Sequence, residues 1–183
     1  MIGEKTFTLH AFDLERDLEA VTAIINRCNE AEGDSSRHSP EEMRVFLTVP
    51  DYHPQTDAWV ARADDGQVIA FGDFMLAREA GRVWGDCAVD PDYRGRGIGT
   101  ALIRTAEPRI LERAMAEVAP ELPIYINRAV GELDPTGGAL LESEGYHHIR
   151  TFYTMQIDFD DPITRDPLPE GLELRPFDEA LHG

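Results

Sequence analysis

Residues 6–12 alternate apolar and polar side chains, the period of a strand with one buried face. Asp13 follows as a helix cap, and Leu14, Leu18, Val21, Ile25 and Cys28 recur at helical spacing. The stretch 30–38 is polar and contains Gly33, so it reads as a loop. Ser39-Pro40-Glu41-Glu42 predicts a helix start: serine caps, proline takes the first turn, and Glu42 reaches back as in a capping box. That helix carries Met43, Phe46 and Leu47 and stops before Pro50. Residues 58–62 and 68–76 read as strands joined through Asp64-Asp65-Gly66, since Asp-Gly tolerates the positive φ of a hairpin turn. A turn at Ala80-Gly81 leads to another strand at 83–89. A helix follows over about 98–118, and Pro108 should kink or split it by removing a backbone donor. Residues 122–128 predict a short strand, and 135–144 a helix closed by Gly145 in the left-handed conformation. Finally, Tyr153, Met155, Ile157 and Phe159 alternate with Thr154, Gln156 and Asp158, predicting a half-buried strand.

This order, β-α-α-β-β-β-α-β-α-β, is that of an α+β fold rather than a doubly wound sheet. An antiparallel meander is followed by one right-handed parallel β-α-β crossover, with about four helices in all. A chain of 183 residues with 42% hydrophobic content can bury one core but not two full ones. That core is expected within 1–159. Residues 160–171, rich in Asp and Pro, read as a linker. Beyond it, Leu174-x-x-Phe177-Asp178 repeats Leu9-x-x-Phe12-Asp13. Residues 172–183 therefore read either as the start of a second related domain or as a terminal strand of this one.

Charge and composition narrow the function classes. A net charge of −18 argues against a nucleic-acid partner, which needs basic groups against phosphates. The same charge suits a cationic amine substrate, although solubility alone explains it equally well. No apolar run approaches the length of a membrane span, and Met1-Ile2-Gly3-Glu4-Lys5 lacks the pattern of a signal peptide, so a cytoplasmic location is expected. Cys28 and Cys87 read as buried thiols rather than a disulfide or metal pair. The six histidines lack ligand spacing, and the adjacent His147 and His148 would face opposite ways on a strand; no metal is expected.

The chemistry concentrates in Val89-Asp90-Pro91-Asp92-Tyr93-Arg94-Gly95-Arg96-Gly97-Ile98-Gly99-Thr100. A strand ends, proline turns the chain, and three alternating glycines precede a helix. Without Cβ atoms in the way, backbone N–H groups can converge on an anion, aided by the positive end of the helix. Arg94 or Arg96 can add a charged hydrogen bond to a pyrophosphate. A Walker loop would require Gly-Lys-Ser/Thr, and a Rossmann fingerprint begun at Gly97 would need a small residue at Leu102; both fail.

The segment from Val89 to Gly99 resembles the Arg/Gln-x-x-Gly-x-Gly/Ala motif of the GCN5-related N-acetyltransferases (GNAT), and the element order over 6–159 agrees with that family. The strand, linker and strand of the tail also resemble tandem members such as the mycothiol synthase group. The resemblance implies acetyl-CoA as co-substrate. Its pyrophosphate would lie on amides from Arg94 through Gly95, Arg96, Gly97, Ile98 and Gly99 to Thr100. Backbone groups of Cys87 and Val89 would hold the pantetheine arm and polarise the thioester. It also implies direct attack by an amine with no covalent enzyme intermediate, and neither cysteine has an evident base partner.

An alkylammonium of pKa about 10.4 is neutral in roughly one molecule in 2,500 at pH 7, a handicap near 4.6 kcal/mol, so a proton acceptor helps. Asp86, beside Cys87, and Asp73 on the preceding strand are the candidate bases. Family members often protonate the departing thiolate with a tyrosine four residues before a Gly-aromatic pair. Here the pair is Gly145-Tyr146 and the position holds Leu141; Tyr146 is the candidate substitute. Asp134 stands where relatives frequently carry asparagine. Acceptor selection is expected from the loop with Glu30, Glu32 and Asp34. The reading that results is an acetyltransferase acting on an amine of a small molecule or peptide. The alternative is a catalytically weakened acyl-CoA-binding domain, structural or regulatory. A second GNAT-like domain or a second copy of the chain are the partners expected besides substrates.

Overall fold

A computed structural model describes residues 7–153, 155, 157–159 and 167–176. It divides into two units, 1–147 and 148–183. The first contains β1 (Phe7–Ala11), α1 (Leu14–Ala31), α2 (Pro40–Phe46), α3 (Pro54–Asp57), β2 (Ala58–Ala63), β3 (Val68–Ala77), β4 (Arg82–Val89), α4 (Ile98–Glu117), β5 (Tyr125–Arg128) and α5 (Pro135–Ser143). The strands form one sheet in sequence order. β1 to β4 are antiparallel neighbours, and β5 joins β4 in parallel through the α4 crossover. This is the expected α+β architecture.

Local chemistry sets the helix starts. Asp13 accepts hydrogen bonds from the amides of Glu15 and Arg16 at 3.1 and 3.0 Å. Ser39 and Glu42 close a full capping box, with Glu42 N–H to Ser39 Oγ at 3.2 Å and Ser39 N–H to Glu42 Oε2 at 2.8 Å. The short α3 lies outside the elements that periodicity predicts, and Pro54 at its first turn is its local signal.

Helices cover both faces of β3, which is why its residues from Val68 to Phe74 are all buried instead of alternating. On one face Phe12, Leu18, Val21, Leu47 and Phe71 pack together beneath α1 and α2. On the other, Phe74, Leu76 and Val83 meet Ala106, Ile110 and Ala114 of α4. Helix α4 is not split at Pro108. Ala106 and Ile110 on either side of it are held in this core, and those contacts carry the helix across the missing donor. Among the described residues three buried carboxylates are ion-paired: Asp17 with Arg16 and Arg62, Asp57 with Arg109 and Arg113, and Asp90 with Arg27.

β5 is shorter than the strand expected over 122–128. Pro123 in that stretch can give no ladder hydrogen bond. Its carbonyl also runs so close to Gly81 that a Cβ there would lie 2.3 Å from the oxygen.

In the second unit a strand was expected over 153–159, and none is present among the described residues of that stretch. Tyr153, Met155, Ile157 and Phe159 belong to no strand and are all strongly exposed. Alternation builds a strand only where a neighbour takes its backbone hydrogen bonds and a layer covers its apolar side. Among the described residues neither is supplied. Of the repeated Leu-x-x-Phe-Asp pattern, Phe177 and Asp178 lie outside the described residues.

Candidate active site

The site arises where β4 and β5 part. β5 pairs with β4 from Arg82 to Gly85 and ends at Arg128, whereas β4 continues to Val89. The Asp90 amide donates to the Ile69 carbonyl at 3.0 Å, which fixes the hydrogen-bonding parity of β4 against β3. Residues of the opposite parity, Cys87 and Val89, turn their backbone groups away from β3 into the gap that β5 leaves. Cys87 is accordingly exposed, in contrast to the buried thiol expected, while Cys28 is buried. Protein atoms still crowd the Cys87 thiol from one side, and the desolvation pushes its pKa up to about 12. The Val89 carbonyl is already occupied, accepting from Arg94 Nε and Cys28 Sγ, each at 3.2 Å. What Val89 has left to offer a ligand is its N–H.

The loop after β4 is tied to α1. Arg27 pairs with Asp90 at 3.0 Å and Asp92 at 2.8 Å. Arg94 donates to Glu32 at 2.8 Å and lies 4.0 Å from Asp134. Arg94 therefore acts as a brace beneath the loop. Arg96 stacks over Tyr93 with its guanidinium 4.9 Å from the ring centroid, and donates to the Asp92 carbonyl at 2.8 Å. Gly95 and Gly97 have φ of +74° and +76°, and a Cβ at either would meet nothing within 4 Å, so both border open space. Gly97 caps α4 without a side chain, which leaves the leading N–H groups of that helix as free donors. At Gly99 a Cβ would lie 2.7 Å from the Leu140 side chain, so glycine there permits close packing of α4 on α5. The arrangement fits a diphosphate.

Two cavities meet at the gap. One, about 510 Å³, is lined by Gly95, Gly97, Ile98, Gly99 and Thr100 at one end and by Gly85, Ile103, Arg128 and Leu141 at the other. The second, about 560 Å³, lies toward α1 and α2 and is lined by Ile25, Met43, Phe46, Phe71, Asp73 and Asp86 among others. Cys87, Arg94, Glu32, Ala129 and Asp134 line both. Of the loop acids considered for acceptor selection, Glu32 is engaged by Arg94, Glu30 lies 3.5 Å from Arg37, and Asp34 accepts from the Ser36 amide at 2.7 Å. Asp134 caps α5 through the Gly137 amide at 3.0 Å and binds the Thr136 hydroxyl at 2.6 Å. Burial pushes its carboxyl up, but these bonds and Arg94 outweigh that and hold it below the usual range.

The two candidate bases are directly opposed across β3 and β4. Asp73 is buried and accepts from the Tyr52 hydroxyl at 2.5 Å. Burial, reinforced by the charge of Asp86, raises its pKa to about 7 against the lowering effects of Tyr52, the Asp86 amide and Arg128. Asp86 faces the second cavity; burial raises its pKa and Arg128 draws it back. A carboxyl pair with one member titrating near neutrality can accept a proton from a bound ammonium. No motif or spacing points to Tyr52, which lies between α2 and α3.

Tyr146 is half-buried beside α4. Its hydroxyl donates to Glu107 Oε1 at 2.9 Å and accepts from Arg128 Nε at 3.2 Å. Burial raises its pKa. The phenolic proton is thus directed at Glu107, and Tyr146 holds Arg128 in place. Leu141 lines the first cavity.

Residues 18–124 match the family model described as Acetyltransferase (GNAT) family. A mycothiol acetyltransferase of Salinispora arenicola is 30% identical over 147 residues, which make up 80% of this chain and 44% of the relative. One from Salinispora tropica is 27% identical over 147 residues with the same coverage, 80% and 44%. The crystal structure of a GCN5-related N-acetyltransferase from Sphaerobacter thermophilus is similar with a TM-score of 0.68 at 27% identity, covering 77% of this chain and 43% of that one. The chain thus spans less than half the length of each.

Proposed function

The chain belongs to the GNAT family of acetyltransferases, and we propose that it transfers acetyl from acetyl-CoA to the amine of a small molecule or peptide. The observation that carries this reading is the pair of cavities joined at Cys87, one ending on the free amides of the glycine loop and the other on a carboxyl pair. The amides from Gly95 to Thr100 bind the diphosphate, and the N–H groups of Cys87 and Val89 orient the pantetheine and thioester. The thioester supplies an activated acyl group. Asp86, backed by Asp73, takes the proton that keeps an ammonium from attacking. The apolar wall of Ile25, Met43 and Phe46 receives the body of the acceptor. Because two relatives bear the name mycothiol acetyltransferase, mycothiol-related amines belong in the acceptor panel. Release of free CoA from acetyl-CoA with such a panel tests the activity. The second reading, an acyl-CoA-binding domain with weakened catalysis, is favoured by Leu141, which brings no proton donor to the cavity. Tight acetyl-CoA binding with no turnover on any amine would select it.

The position of the site within a cell and within a longer protein is part of the same proposal. We assign residues 160–171 as a linker and 172–183 as the beginning of a second related domain, supported by the repeated Leu-x-x-Phe-Asp pattern. A cytoplasmic location accords with the use of acetyl-CoA, and among the described residues no helix is long and apolar enough to cross a membrane.

A further inference from the structure

Arg128 ends β5 with its side chain laid over Gly85, where an added Cβ would lie 3.0 Å from Nη1 and 3.2 Å from Cζ. Its Nε is fixed on the Tyr146 hydroxyl, itself anchored to Glu107. Its Nη2, by contrast, is buried with no hydrogen-bond partner, the one such side-chain atom among the described residues. Nor does Arg128 make an ion pair within 4 Å there. A buried guanidinium N–H without an acceptor is costly, and the cost is removed when an acceptor arrives with a ligand. The residue lines the cofactor-side cavity at the end opposite the glycine loop, together with Cys87, Ile103 and Leu141. Two of those neighbours are apolar, so a single cation counts for more there than in water.

We infer that Arg128 stabilises the CoA thiolate as it departs, doing by charge what a tyrosine at position 141 would do by proton transfer. This rests on the acyl-CoA reading above. The bonds and electrons balance without any further reactant. The amine nitrogen, having passed one proton to Asp86, bonds to the thioester carbon. The C–S bond breaks, and its electron pair goes to sulfur, where the guanidinium donates to it. Nitrogen loses a second proton to the carboxyl pair or water, leaving the neutral amide. One of the two protons returns to sulfur after release, and the other goes to solvent. Arginine keeps its own protons throughout. Tyr146 is the positioning residue, acting through Arg128.

The charged and titratable groups around the guanidinium are Asp86 and Cys87 on β4, Asp73 on β3, Glu107 on α4, and Tyr146. The test is the ionisation of CoA bound to the full chain, followed by the ultraviolet absorbance of its thiolate as pH is raised. In the wild type the bound thiol ionises below free CoA. R128M moves that titration up by about one pH unit or more, R128K restores most of it, and Y146F gives a partial shift. R128M removes the unpartnered donor together with the Nε bond to Tyr146, whose hydroxyl keeps Glu107 as its acceptor, and is expected to fold; R128K, which keeps the charge, serves as the folded control. A thiol that titrates at the same pH in wild type, R128M and R128K overturns the inference while leaving CoA binding intact. Failure of the wild type to bind CoA at all overturns the function reading and this inference together.

Discussion

The hydroxyl of Tyr52 donates a 2.5 Å hydrogen bond to the carboxyl of Asp73, a residue directly opposite Asp86 in the neighbouring strand. That contact is among the influences that keep a deeply buried carboxyl titrating near pH 7 rather than higher. If Asp73 and Asp86 together accept the amine's proton, the rate rises with pH through that region. Y52F removes a bond that favours the ionised form, so the acid limb of the kcat/KM profile should move to higher pH, by about one unit. A limb that stays in place, measured by CoA release from pH 5 to 9, would separate Asp73 from the chemistry.

Asp73 also makes a prediction for stability. Its folded pKa of about 7 lies above the unfolded value near 4, so the folded state holds the extra proton between those limits. Stability from this group is therefore present below about pH 4 and is lost as pH rises toward 7. D73N should be more stable than wild type at pH 8 by roughly 2–4 kcal/mol, with the difference vanishing below about pH 4. Denaturant unfolding at the two pH values reads it directly.

D86N should lower turnover by about 10²- to 10⁴-fold, with little change in the affinity for acetyl-CoA. Asp86 faces the acceptor-side cavity and is absent from the wall of the other. Calorimetric binding alongside steady-state rates distinguishes this from general damage to the site.

Remote from the site, Asp57 is fully buried between Arg109 and Arg113, and Arg113 is 4% exposed. D57A strips that buried guanidinium of one of its two carboxylate partners, leaving Glu117 at 2.8 Å, and should cost about 1–3 kcal/mol of folding stability. A thermal or urea transition unchanged by D57A would mean the ion pair contributes no net stability.

The parts of this fold written in local chemistry were legible from the sequence. The cap at Asp13, the box at Ser39 and Glu42, and the glycine loop need only near neighbours, and each sits where the pattern put it. What depends on distant pairing was not. Cys87 looks like a core residue by its apolar neighbours, and its exposure follows from β5 ending at Arg128. The alternation at Tyr153 to Phe159 satisfies the strand period yet finds neither partner nor cover among the described residues. Arg94 and Arg96 were legible as cations beside a phosphate loop, but their partners Glu32 and the Tyr93 ring are what give them their roles. Tyr52 and Arg128 carry no motif at all; burial against Asp73 and an unpartnered nitrogen in a cavity wall reveal them.

The central claim is that free amides at the start of α4 hold a diphosphate. Calorimetric titration with CoA, and with pantetheine, which lacks the diphosphate, tests it most directly in wild type and G97A. Alanine at a φ of +76° costs about 1–2 kcal/mol of backbone strain and puts a methyl group at the cradle. Wild type should bind CoA far more tightly than pantetheine, and G97A should bind CoA about 10- to 100-fold more weakly while remaining folded. Equal affinities for CoA and pantetheine, or a folded G97A that binds CoA as well as wild type does, would contradict it.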